Sequence, residues 1–172
     1  MTRLALRFCA GVLAAVALVG CAYRLGPTNG ATAGDRSVEV KPFLNKTLEP
    51  HLTDYVMNSM RKRLQEEGTY KVDTHDDGDI VLDGVIVEYV RTPLSFQPTD
   101  VISVVDYQIA MTAEVTARER VTGKVIFEKK LVHGRATLRV GADLTSAERS
   151  AIPLLTDDVA KKAVALLVDG TF

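Results

Sequence analysis

The sequence has only two cysteines, at positions 9 and 21, too few for a disulfide framework. It has no excess of basic residues: 21 Lys and Arg stand against 22 Asp and Glu, a formal charge of −1. A dedicated nucleic-acid binder would carry a strongly basic face. Outside the N-terminus there is no apolar run of about 18 residues, which excludes a multi-span transporter. A Gly-x-Ser-x-Gly elbow, a Walker loop and a His-Glu-x-x-His pair are all missing. What is present is a chain of 172 residues, 47 % of them hydrophobic, which suits one globular domain.

The N-terminus reads as a targeting segment. Arg3 and Arg7 precede an apolar stretch from Phe8 to Val19, too short to span a bilayer, that ends in Leu18-Val19-Gly20-Cys21. That ending resembles the lipobox of bacterial lipoproteins. The likeness implies a signal peptide over 1–20, and Cys21 as the acylated first residue of the mature chain. Ordinary cleavage near Ala22 would instead leave an unmodified thiol. Removal of Arg3 and Arg7 takes two from the 21 basic residues, leaving 19 against 22 acidic ones and a charge of −3. Two or more acyl chains (palmitate among them) anchor stably, at roughly 0.8 kcal/mol per buried CH₂. Ala22 stands where Asp would resemble an inner-membrane retention signal, so the expected address is the periplasmic leaflet of the outer membrane.

Residues 21–36 are rich in Gly, Thr, Asn, Ala and Pro, the composition of a flexible tether. A single domain is expected over 37–172. Ser37 to Phe43 alternates as a half-buried strand, with Pro42 at its end. Leu48, Leu52, Tyr55, Val56, Met60 and Leu64 recur at threes and fours, predicting a helix with Thr47 as N-cap and Gly68 as stop. Tyr70 to Val72 is a short strand. Asp79 to Val90 is a β-branched run, apolar enough to be covered on both faces. Arg91 to Thr99, with Pro93 and Pro98, reads as a loop. Val101 to Val121 alternates cleanly, turns at Thr122-Gly123 and returns over Lys124 to Val140, with a phase change placing a bulge near His133-Gly134. A last helix is expected from Ala147 to Val168, with Pro153 either kinking it or marking its start. The fold class is α+β, two helices packed on one face of a mixed, mainly antiparallel sheet with a long hairpin.

The polar residues form no catalytic set. His51, His75 and His133 fall on a helix start, a turn and the expected bulge, and read as structural. Asp73, His75, Asp76, Asp77 and Asp79 fail as a calcium loop, because position twelve falls on Gly84 and the bidentate Glu is missing. No metal or cofactor is expected. Basic residues say more: Arg91, Arg135 and Arg139 are placed at one end of the sheet, and Arg118, Arg120 and Lys124 at the other. Arginine forks match phosphates, so either group suits a phosphorylated amphiphile.

The segments Cys21 to Leu25, Val38 to Thr47, Gly68 to Val72 and Asp79 to Gly84, with the Pro93-x-Ser95 loop, together resemble the LPS-assembly lipoprotein family LptE. The likeness covers nearly the whole mature chain in order. The Val-x-Pro-Phe-x-Asn strand and the helix after it are also similar to curli-secretion-type lipoproteins and TolB-like domains, which leaves another envelope assembly or secretion lipoprotein as the alternative. Membership of the LptE family implies no reaction. It implies an outer-membrane subunit of the lipopolysaccharide translocon that plugs and helps assemble an LptD-type β-barrel and binds lipopolysaccharide. A long hairpin with a polar face and few aromatics suits a polar barrel lumen. Of the family's functional residues only the lipidated cysteine maps, onto Cys21; Arg91, Arg135 and Arg139 rest on their placement in the sheet.

Overall fold

The computed structural model describes residues 33–98, 100–141 and 143–170. The expected signal peptide and Cys21 lie outside them. Alternation along β1 (Ser37–Val40) sends Val38 and Val40 into the core. Pro42 interrupts the strand, so the single strand expected to Phe43 is split, and pairing resumes only at β2 (Leu44–Asn45). Between them Phe43 turns inward onto Gly84, where an added Cβ would stand 2.4 Å from its ring.

The first helix, α1 (Leu52–Glu67), starts later than the apolar spacing suggests. The Asn45 carboxamide oxygen accepts from both the Thr47 N–H, at 2.9 Å, and its hydroxyl, at 2.7 Å. That side-chain turn holds the chain non-helical until His51, which takes a left-handed φ of 63° at the cap position. Leu48, one of the expected stripe residues, is fully exposed. Gly68, at φ 72°, ends the helix as expected, and its N–H bonds the Leu64 carbonyl.

Four strands and a helix follow: β3 (Lys71–Asp73), β4 (Ile80–Gln97), β5 (Asp100–Glu119), β6 (Val125–Arg139) and α2 (Leu144–Asp169). The six strands form one mixed sheet in the order β3-β1-β4-β5-β6, with β2 also on β4. Pairings among β1, β2, β3 and β4 are parallel, and β4-β5-β6 is antiparallel. Both helices pack on one face, where Val56, Met60, Leu155, Val159 and Ala163 meet Ile80, Leu82, Ile86, Met111, Ala113 and Val115. This is the expected α+β class.

Several local expectations change. Residues 91–97 are strand rather than loop, so β4 and β5 form a hairpin longer than the one after it. Pro93 is tolerated there because it pairs with Tyr107, whose main-chain groups serve β6, as Val105 does through its 2.8 Å bond from Val140. The Pro93 nitrogen therefore points to the free side of β4, where no bond is lost. The bulge in β6 lies at Lys129, which takes φ 48°, and not at His133-Gly134. Leu131 is consequently exposed and Val132 buried. Only one face of β4 is covered: Glu88 and Val90 are exposed. α2 begins at Leu144, because Asp143 caps it by accepting the Ser146 N–H at 2.7 Å, and it runs through Pro153.

Candidate functional site: an uncovered polar sheet face

On the side away from the helices the register lays polar residues in rows across three strands. Thr92, Gln108 and Thr137 form one row, Glu88, Thr112 and His133 another, and Val90, Ala110 and Arg135 lie between them. Thr112 donates toward Glu88 at 3.2 Å and shares a 3.0 Å hydrogen bond with His133 Nδ1. Strand alternation puts these side chains on one face, and among the described residues no helix covers them.

The charges on this face are largely neutralised. Arg139 donates through Nε to Asp106 at 2.8 Å, and Ser95 donates to the same carboxylate. The Arg139 and Ser95 hydrogen bonds hold Asp106 below the usual carboxylate range. Arg118 pairs with Asp83 at 2.6 Å. Arg120 and Lys41 both pair with Glu39, which is buried beneath the connection that carries the chain from β3 over β1 to β4; Gly78 is pressed against the Glu39 backbone there. The acidic turn is likewise occupied: Asp73 accepts the N–H groups of His75 and Asp77, and Asp79 accepts the N–H and hydroxyl of Ser37.

Arg135 and Arg139 share the uncovered face, four residues apart on β6. Arg91 does not join them. A bulge at Val87 (Ile86 pairs with Ala113, Glu88 with Thr112) turns Tyr89 and Arg91 to the helix side. There Arg91 bonds Glu148 of α2 at 2.6 Å and lies 5.8 Å from the centroid of the Tyr107 ring. Tyr89 donates to the other Glu148 oxygen at 2.5 Å, and burial together with that bond raises its pKa. Among the described residues the Arg135 guanidinium alone of the three has no partner. Glu148 was missed in the sequence because its partner lies 57 residues away. The Glu88–Thr112–His133 row was within reach of strand alternation once the register was known.

Two further features frame the face. The outer edge of β6 is closed by α2: Asp158 accepts the Arg135 N–H at 3.0 Å, and Lys162 donates to the His133 carbonyl at 2.7 Å. Gly134 permits this approach, since a Cβ there would lie 2.4 Å from Val159. At the other end β4 and β5 continue past the last β6 pair, Asp106–Arg139, as a two-stranded ribbon about 20 Å long. Leu94, Phe96 and Ile102 are exposed on it.

The LptE family model, described as lipopolysaccharide-assembly, matches residues 36–169. The chain belongs to the LptE family. Proteins of this family are non-enzymatic lipopolysaccharide-assembly lipoproteins associated with the outer membrane. No curated protein matches. Among solved structures, a minor lipoprotein of Acinetobacter baumannii is similar at 16 % identity and TM-score 0.53, over 77 % of this chain and 92 % of that one. A Chlamydia trachomatis protein is similar at 11 % identity and TM-score 0.55, over 79 % and 96 %. A PelC dodecamer of Paraburkholderia phytofirmans follows at 19 % identity and TM-score 0.50, over 80 % and 92 %. These likenesses show the fold. Among the described residues no helix of this LptE-family chain is long and apolar enough to cross a membrane.

Proposed function

We propose that this LptE-family chain is a lipid-anchored subunit of the lipopolysaccharide translocon. It seats as a plug in an LptD-type outer-membrane β-barrel, helps that barrel assemble and binds lipopolysaccharide during its insertion. The observation that carries the reading is the uncovered polar face over β4, β5 and β6, set on a chain whose family match spans 36–169. A face of Gln, Thr, His and mostly paired charges gains little from an apolar partner, whereas the interior of a large outer-membrane barrel is polar and wet.

The lipid is carried by Cys21 after removal of residues 1–20, and residues 21–36 tether the domain over 37–172. Lipopolysaccharide phosphates engage Arg135 and Arg139 on the open face. Arg91 contributes from the helix side, where it reaches a phosphate only by leaving Glu148. No catalysis is involved.

Purification of a tagged full-length chain from detergent-solubilised outer membranes tests this reading. One large barrel at equal stoichiometry, retained in high salt, supports it; recovery without a barrel removes it. The Cys21→Ser variant should stay unprocessed and unacylated, and normal processing would remove the anchor. A second reading, an envelope assembly or secretion lipoprotein that forms a ring, draws support from the fold shared with the PelC dodecamer. A homo-oligomer in place of the one-to-one complex would favour it.

A further inference from the structure

The uncovered face ends at a strand edge that is only partly used. Along its first half the outward main chain of β4 is taken by the chain's own parallel strands: Lys41 donates to the Leu82 carbonyl at 2.9 Å and Lys46 to the Ile86 carbonyl at 3.0 Å. After Lys46 the chain leaves for α1, and the edge is left open. Because Met111 and Ile109 turn their main-chain groups to β6, their partners Tyr89 and Arg91 turn theirs outward. Among the described residues no group bonds the Tyr89 or Arg91 N–H. Pro93, two residues on, ends the usable edge.

A groove of about 600 Å³ runs beside these two residues, between Lys46–Glu49 and Val87–Arg91. Leu48 is fully exposed on one wall, and Val90, on the uncovered face, is exposed beside it. Carboxylates dominate its polar lining, with Glu49, Glu88 and Glu148 against Lys46 and Arg91. Arg91 is already committed to Glu148, while Glu49 has no ion pair among the described residues. Burial and the Glu148 charge raise the Glu49 pKa, outweighing the opposing pull of Arg91 and His51.

A row of unpaired strand N–H and C=O groups is met by another strand. We propose that the β4 edge at Tyr89 and Arg91 takes an extended segment of a partner protein as a further parallel strand, in line with β2, with a basic side chain of that segment set against Glu49 and Glu148. An apolar neighbour in the segment covers Leu48. The ladder that β1 and β2 begin supplies the register, and the acidic lining supplies the preference for lysine or arginine.

The probe is an acetylated nine-residue peptide of alternating valine and threonine with a central lysine, compared with a twin carrying glutamate. Amide exchange is followed in the full-length chain in detergent. The lysine peptide at saturation should slow exchange at Tyr89 and Arg91 by about tenfold or more. Its affinity should exceed the twin's by about threefold or more, a preference that Glu49→Gln should abolish. Leu48→Ser, which removes the apolar contact without adding charge, should weaken both peptides; this side chain is exposed, so the variant folds. Unchanged exchange at the two amides would overturn the proposal, as would equal binding of the twins. Protection that rises with protein concentration in the absence of peptide would also overturn it, since a second copy would then hold the edge.

Discussion

On the helix side of β5, Ile109, Met111, Ala113, Val115 and Ala117 are all buried. One residue out of phase, Asp106, Gln108, Glu114 and Thr116 remain partly open to solvent, with no element over them among the described residues. The same five turns of pleat thus build a dry surface and a wet one. Their energetics differ in kind. Burial at roughly 25 cal/mol per Å² holds the helices to the first face. Hydrogen bonds and ion pairs on the second roughly break even against water. Stability therefore sits on one face, which leaves the other free for a partner.

The largest break in that comparison is Leu155→Ala. Leu155 is fully buried between α2 and the sheet, so truncation should cost about 2–5 kcal/mol, read as a lowered urea midpoint. Next is Gly134→Ala. The added Cβ would meet Val159 Cγ2 at 2.4 Å and the Leu155 carbonyl at 2.9 Å. Lifting the helix should cost about 1–3 kcal/mol, and the Arg135 amide should exchange faster as its bond to Asp158 loosens.

A smaller effect depends on pH. Arg63 on α1 bonds Asp157 on α2, Nε to Oδ1 at 2.7 Å. That bond holds the Asp157 carboxyl below its ordinary value. A lowered folded pKa contributes stability above the unfolded value near 3.9 that is lost as the pH falls through the folded one. Arg63→Met should therefore cost about 1 kcal/mol or less at pH 7. The gap from the parent should close as pH drops below about 4, in urea titrations at stepped pH.

The smallest stability effect sharpens the contrast most. Thr92→Trp with Thr137→Trp places two indoles on the open face and should shift stability by no more than about 0.5 kcal/mol. The same pair should prevent recovery of the barrel. Arg135→Glu with Arg139→Glu should leave the fold in place and weaken lipopolysaccharide binding, measured with the purified full-length chain. Loss of barrel binding only in destabilised variants would put the function on the covered face instead.

Much of this molecule was legible without coordinates. The clean alternation expected of β5 is found from Ile109 to Ala117, where every second residue is buried, because a half-buried strand cannot hide its alternation. Gly68 stopped α1 as its left-handed conformation requires. The misreadings share a cause. Two prolines made 91–99 look like a loop, although Pro93 falls where the ladder asks for no N–H. The phase change along β6 points to His133-Gly134, whereas Lys129 takes the extra place. Thr47 resembled an N-cap, but Asn45 had already captured it.

Sequence by itself determined the composition, the α+β order of elements, the polar and apolar phases of the long strands and the family likeness, because these depend on neighbours a few residues apart. Tertiary structure decided which cations meet. Arg91 joins Glu148 across 57 residues, Arg139 joins Asp106 across 33, and Arg135 is left without a partner for its guanidinium among the described residues. Such pairings follow from strand register and from two bulges, each of which exchanges one face for the other by a single residue.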